Sequence, residues 1–151
     1  MLDEVMCHRV GAPPLRFRGA LLSHKEATGA GADRLFLSLW ARETKSRRDL
    51  VVAFSERRCE WRAHALVAAN LDAAIDAVES RCDTMGRAER GGFGLSDGNQ
   101  HDDLILAIED RCRDALDVLR FRQLAAVALD HWSALLEQGQ ATTEIARTKG
   151  T

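Results

Sequence analysis

The spacing of apolar residues changes near Asn70. From about Leu15 to Val67, apolar residues recur at every second position, which is the period of a half-buried β-strand. From Leu71 to about Leu136 they recur at every third or fourth position, which is the period of an amphipathic helix. The pattern predicts an α+β fold, with an antiparallel three- to four-stranded sheet in the N-terminal half packed against two or three C-terminal helices.

The alternation predicts three strands, over residues 14–22, 34–43 and 49–56. In the second strand, three leucines alternate with polar and aromatic residues, and these leucines are expected to face the core. The connection of residues 44–48 is short and polar, so the second and third strands should form an antiparallel hairpin. Residues 23–33 contain glycines and small residues and are expected to form a loop.

Residues 58–69 fit two patterns. At period two, the odd-numbered residues, Trp61 among them, would face the core of the domain. At helical spacing, Trp61, His64 and Ala68 would begin a stripe that continues into the following helix. We favour a strand over about 58–67, because Asn70 is a good helix N-cap and a helix that began near residue 60 would bury this cap in its interior.

Two helical segments follow, over about 71–84 and 102–138. Gly86 is well placed to end the first of them. The second contains neither glycine nor proline, but its apolar pattern changes phase near Phe121. Either one long helix changes the partner that it faces, or two helices meet there. The apolar positions before this change of phase are Leu104, Ile105, Ile108, Cys112, Ala115 and Leu119.

The chain of 151 residues suits one domain, predicted to span residues 15–138, with the sheet over about 15–67. Residues 1–14 and 139–151 are predicted to be tails. The longest uninterrupted apolar run, Leu124–Leu129, is far shorter than the ~20 residues that cross a bilayer, so no membrane partner is expected.

Charge divides the chain at the same place as the apolar spacing. The net charge is −2, but residues 1–70 carry 12 basic against 8 acidic residues, and residues 71–151 carry 9 against 15. The N-terminus has acidic residues and no apolar segment of the kind found in a secretory signal, which predicts a cytoplasmic protein. Arginine outnumbers lysine 18 to 3, a bias typical of GC-rich coding DNA, hence of a bacterial or phage source.

The residue types that usually carry chemistry are dispersed. The four cysteines are Cys7, Cys59, Cys82 and Cys112, and they form no CxxC unit, so we expect free thiols and no metal site. The sequence also lacks GxSxG, HExxH and the glycine motifs that bind phosphate. The prediction is therefore a protein without catalysis and without a cofactor.

One face of the predicted sheet combines arginine with aromatic residues. If the leucines of the second strand face the core, its other residues share the opposite face, and arginines of the first strand could join them. The six candidate residues for partner binding are Arg16, Arg18, Arg34, Phe36, Trp40 and Arg42. The alternative is that a segment of the C-terminal helix, or a second copy in a homodimer, covers Phe36 and Trp40.

The function predicted from these features is that of a small non-catalytic regulator or inhibitor that binds another protein or a nucleoprotein complex. The alternative is a single-stranded nucleic-acid-binding protein, because aromatic residues framed by arginine on a sheet can stack unpaired bases. On the exposed-face interpretation, Trp40 and Arg42 contact the partner, and Trp40→Ala abolishes binding without loss of stability.

Overall fold

The computed structural model describes residues 2–30, 34–58, 60–89 and 101–149. Its elements are β1 (Asp3–Arg9), β2 (Ala12–Thr28), β3 (Arg34–Glu43), β4 (Arg48–Arg57), β5 (Trp61–Ala68), α1 (Leu71–Glu89) and α2 (His101–Lys149). The predicted α+β fold, with an N-terminal antiparallel sheet and C-terminal helices, is confirmed. The described part of the chain contains five strands, one more than the upper prediction, and two helices.

The additional strand is β1, which together with the first residues of β2 occupies most of the region predicted to be a tail. Asp3–Arg9 pairs with β2 in an antiparallel register that places Val5 opposite Phe17. Gly11 forms the turn between them with a φ of 71°, a conformation that other residues adopt with strain. The prediction of a tail over residues 1–14 was wrong. The Pro13–Pro14 pair obscured the strand, although proline is tolerated here because this part of β2 has a strand on one side only.

Strand β2 also continues through residues 23–28, which were predicted to lie in a loop. Ser23 pairs with Leu39, and Ala27 pairs with Leu35 of β3. A bulge at Leu22 inserts one extra residue into β2 and exchanges the faces of all later positions. Because the period-two pattern is interrupted at this bulge, it does not reveal the strand in residues 23–28, and the glycines and small residues of 23–33 favoured a loop.

The strand predicted over 58–67 is confirmed as β5, and residues 60–68 do not begin a helix. Asn70 caps α1, since its side-chain oxygen accepts a hydrogen bond from the N–H of Ala73 at 2.8 Å. The predicted faces of β5 are partly inverted. Leu66 and Ala68 face the helices, whereas Val67 is 43% exposed.

Both helices are longer than their predicted spans. Helix α1 continues through Gly86 to Glu89, and α2 is one helix that includes residues 139–149, where a tail was predicted. The main core lies between the sheet and the two helices, where Leu35, Leu37 and Trp132 are fully buried. The change of phase near Phe121 is thus a change in which face of one continuous helix carries the apolar residues.

The sheet is strongly curled. Its strand order is β1-β2-β3-β4-β5, so β1 and β5 are the two edges, yet they approach each other with Cα atoms within 8 Å. A flat sheet would separate its outer strands by about 19 Å, four spacings of ~4.8 Å. The concave side, which we call the concave sheet face, holds a second apolar cluster. Its members are Val5, Cys7, Leu15, Phe17, Phe36, Trp40, Val51, Ala53 and Ala65.

Candidate binding surfaces

The two aromatic candidates, Phe36 and Trp40, lie on the concave sheet face and are half-buried. The ring of Phe17 from β2 meets the ring of Trp40 edge to face, with centroids 6.1 Å apart and an interplanar angle of 76°. The curl of the sheet covers these aromatics in part, and the C-terminal helix lies on the other face. Trp40 is therefore a member of a second core, with one side still accessible.

The guanidinium of Arg42 is fully engaged with a carboxylate. Arg42 and Asp49 are directly opposite each other on β3 and β4, with Nε donating to Oδ1 at 2.7 Å and Nη2 donating to Oδ2 at 2.6 Å. Asp49 is only 4% exposed. The hydrogen bonds from Arg42 hold the pKa of Asp49 below its usual range, and Asp49 raises the pKa of Arg42. The pair closes one end of the concave sheet face and leaves Arg42 little capacity to bind a partner.

A chain of polar side chains occupies the other end of the same face. His24 Nδ1 and Ser38 Oγ lie 2.6 Å apart, and His24 Nε2 lies 3.0 Å from Glu26 Oε2. Arg34 donates to the other oxygen of Glu26. Of the four, only Ser38 is deeply buried, at 4% exposure.

A serine, a histidine and a carboxylate in sequence are the components of a nucleophilic triad, but here they connect two paired strands. The half-buried Phe36 and Trp40 flank Ser38 on the same face of β3. Around Ser38, β3 is paired with β2 and β4, and the N–H of Phe36 donates to Ser55 Oγ at 3.0 Å, so these backbone groups take part in the sheet. The network is better explained as cross-strand hydrogen bonding that fixes the register of β2 and β3.

The two remaining candidates, Arg16 and Arg18, lie on the opposite side of the sheet. Leu15 and Phe17 belong to the concave cluster, so Arg16 and Arg18, which alternate with them along β2, must face the other way. Both are exposed and, with Met6 and other residues of β1 and β2, they line a shallow cavity of about 470 Å³. The structure thus brings Arg34, Phe36, Trp40 and Arg42 to one face and separates Arg16 and Arg18 from them.

A buried carboxylate joins helix α1 to the sheet. Glu56 is 4% exposed and accepts a hydrogen bond from Arg81 of α1 at 2.6 Å. Its other oxygen lies 3.5 Å from Arg58 Nε and 3.7 Å from His64 Nδ1. Burial lowers the pKa of His64, and the charge of the nearby Glu56 raises it by less than burial lowers it. The cluster fixes the position of α1.

Helix α2 is fixed by its own polar contacts. Asp117 is 3% exposed and accepts a hydrogen bond from the N–H of Ala30 at 2.6 Å, and Arg120 donates to the carbonyl of Thr28 at 3.2 Å. Arg57 of β4 pairs with Asp114. These contacts hold one segment of α2 against the sheet and set the rotation of the whole helix about its axis.

On the first half of α2, apolar side chains lie in solvent. Ile105, Ile108, Leu116 and Leu119 are 42%, 44%, 40% and 52% exposed, and Cys112 between them is exposed as well. We call these five residues the α2 seam. Most of them lie on the apolar stripe predicted before the change of phase near Phe121. The sequence did not indicate what this stripe would face.

The α2 seam points away from the body of the domain. The stripe that α2 buries consists of Val118, Phe121, Ala125, Ala128 and Trp132. At about 100° per residue, the centres of the two stripes lie about 160° apart around the helix. The sequence signal for this surface was the change of phase near Phe121, because a single helix whose apolar stripe changes phase must turn one of the two stripes away from the core.

Comparison with protein-family models, with curated proteins and with solved structures gives no match for this chain. Within the described residues, no helix is long and apolar enough to cross a membrane. Over those same ranges, no group of three or more histidine, cysteine or acidic side chains is placed to hold a metal ion. Cys59, one of the four cysteines expected to be free thiols, lies outside the described residues.

Proposed function

We propose that this chain is a small, non-catalytic cytoplasmic protein that regulates or inhibits a protein or nucleoprotein partner, and that it binds through the α2 seam. The observation that carries the proposal is the exposure of four large apolar side chains along one line of a helix whose orientation is fixed by Asp117 and Arg120. A contiguous apolar patch of this kind is typical of a protein-binding surface.

Burial of the exposed apolar area of these side chains would stabilise a complex. Full burial of one isoleucine or leucine is worth about 1.5–3 kcal/mol relative to full exposure. Each of the four large seam residues has about half of its surface still exposed, so a partner that covers all four gains several kcal/mol before the costs of association. A helix that presents anchors at spacings of three and four residues fits a helical or grooved protein partner.

Nucleic-acid binding is less well supported than protein binding. It would use aromatic and arginine side chains of the sheet, but Trp40 packs against Phe17 and Arg42 is held by Asp49. Arg16 and Arg18 remain exposed, yet the cavity beside them is lined by no aromatic residue that faces solvent fully. The seam itself is apolar, which favours a protein over a phosphate backbone.

The test uses the full chain as bait in a lysate of the source organism, with captured proteins quantified by mass spectrometry. The variant Ile108→Glu places a charge in the seam. Leu106→Glu is the matched control, because Leu106 is 57% exposed on the same part of α2 but lies about 120° around the helix from the centre of the seam.

We expect Ile108→Glu to lose the captured partner, whereas Leu106→Glu retains it, with both variants showing the circular dichroism spectrum of the wild type. Equal capture by the two variants would contradict the proposal. Capture that depends instead on Arg16 and Arg18 and falls steeply with salt would support the nucleic-acid alternative.

A further inference from the structure

The five residues of the α2 seam are spaced symmetrically about Cys112. Ile108 and Leu116 lie four residues before and after it, and Ile105 and Leu119 lie seven residues before and after it. A two-fold axis near Cys112, perpendicular to the helix, would bring each isoleucine of one chain opposite a leucine of a second, antiparallel chain. Such a surface is complementary to itself, which is the requirement of an isologous interface.

Among the described residues, the orientation of the seam leaves room for a second copy. Because the seam points about 160° away from the buried stripe of α2, the sheets of two paired chains would lie on opposite outer sides of the helix pair. The contacts of Asp117 and Arg120 with the end of β2 and the residues after it fix this direction in the fold. The second copy would therefore meet a preformed surface and would order no new segment of chain.

Cys112, at the centre of the seam, is small enough to let two copies of α2 approach each other closely. Packed helices lie about 8–10 Å apart, and the Cα atoms lie about 2.3 Å from each axis. Two Cys112 Cα atoms that face each other across the axis would be about 4–5 Å apart, close to the separation found in disulfides. The small cysteine fits this distance, and the larger residues on either side of it interdigitate.

Charged residues beside the seam match as well. Glu109 and Arg113 are both exposed and lie on the same flank of the seam, three residues before and one residue after Cys112. The two-fold axis preserves the flank and reverses the chain direction. Glu109 of each chain therefore comes within about 3 Å, measured along the helix axis, of Arg113 of the other chain. The arrangement contains two such pairs of opposite charge.

We infer that the occupant of the α2 seam is a second copy of this chain, bound as an antiparallel, two-fold symmetric helix pair centred on Cys112. The inference rests on the proposed function, since it concerns the same seam, and it makes the second copy the occupant that a regulated partner must displace. The seam extends from Ile105 to Leu119, or about 21 Å of helix. An interface of this length is small, so the dimer forms reversibly and its population depends on concentration.

Sedimentation equilibrium of the full chain, from about 1 µM to about 1 mM, measures this association directly, because weak interfaces dissociate in this range. We expect the wild type and Leu106→Glu to approach twice the mass of one chain with rising concentration. Ile108→Glu should keep the mass of one chain throughout, since it places two carboxylates in the apolar layers of the pair.

A charge exchange tests the antiparallel register. Arg113→Glu brings two glutamates together at each pair and should weaken the dimer. The double variant, Glu109→Arg with Arg113→Glu, restores opposite charges across the two-fold axis and should recover association. A double variant that associates more weakly than Arg113→Glu would contradict the register.

Cross-linking tests the centre of the pair. Diamide oxidises two Cys112 thiols to one disulfide and takes up the two hydrogens that they lose. We expect a covalent dimer from the wild type and none from Cys112→Ser or, under the same conditions, from Ile108→Glu. A covalent dimer that persists in Cys112→Ser would locate the contact at another cysteine and overturn the inference.

The outcomes separate this inference from the proposed function. A wild type that keeps the mass of one chain up to about 1 mM overturns the second copy. If the seam variants nevertheless lose capture of a different protein, the proposed function stands and only its occupant changes. If neither association nor capture depends on the seam, both are wrong.

Discussion

Two stretches of helix α2 have similar apolar spacing and opposite surroundings. From Val118 to Trp132, the stripe packs against the sheet and α1, and its residues are at most 5% exposed. From Ile105 to Leu119, every large residue of the seam is at least 40% exposed. Helical periodicity therefore predicts which residues share a face. Whether that face is buried depends on how far the neighbouring elements extend.

The extent of α1 accounts for the difference. Arg122 of α2 donates to the carbonyl of Cys82 at 3.1 Å, and both residues line one surface depression between the helices. Because the two antiparallel helices rise equally per residue, Glu89 at the end of α1 is level with about residue 115 of α2. Most of the seam lies beyond this level, past the last residue of α1 that the structure describes.

The largest expected effect is on the buried stripe. Trp132→Ala removes a fully buried indole and should lower the free energy of unfolding by roughly 3–5 kcal/mol. Urea denaturation followed by circular dichroism measures the loss. Trp132→Phe is the matched control, because the indole N–H is buried without a hydrogen-bond partner and its removal costs no bond. If Trp132→Ala lowers the free energy of unfolding by less than about 1 kcal/mol, the buried stripe and the seam are not packed differently.

In the sheet too, the pattern predicts which residues share a face but not which cluster they join, because the sheet has apolar residues on both faces. The alternation of Leu35, Leu37 and Leu39 correctly predicted the strand and its core face, since all three are fully buried. The same alternation in Leu15 and Phe17 could not say which of two apolar clusters they join, and they join the concave one. Sequence therefore predicted period and fold class, while the curl of the sheet decided the faces.

The ion pair on the concave sheet face should contribute the next largest effect. Arg42→Met leaves Asp49 buried without its partner and should cost about 1–3 kcal/mol at pH 7. The pKa of Asp49 is lowered in the folded state, so the unfolded state binds more protons in acid. The stabilisation is then fully present above the unfolded pKa of about 3.9 and is lost as the pH falls through the lower folded value.

Urea denaturation at pH 7 and in acid measures this dependence. The difference in stability between wild type and Arg42→Met should shrink as Asp49 becomes protonated. A difference that stays constant or grows towards low pH would mean that the pair does not stabilise the ionised Asp49.

A smaller loss of stability is expected for Trp40→Ala, whereas the exposed-face interpretation predicts no loss of stability. Its ring is half-buried against Phe17, so Trp40→Ala should cost about 1–2 kcal/mol, less than the roughly 3–5 kcal/mol of a fully buried aromatic residue. Unfolding by heat, compared with Arg16→Ala as an exposed control, measures the loss. An unchanged midpoint for Trp40→Ala would support the exposed-face interpretation.

The smallest effect on the isolated chain should come from the seam. Ile108 is 44% exposed and is not a member of the main core cluster, so Ile108→Ala should change the stability of the dilute protein by less than about 0.5 kcal/mol. At high concentration the behaviour should differ, because association stabilises the folded state by mass action. The melting temperature of the wild type should rise with protein concentration, and that of Ile108→Ala should rise less. Leu106→Ala, on another face of the same part of α2, should follow the wild type, and parallel behaviour of all three proteins would show that the seam has no partner in a second copy.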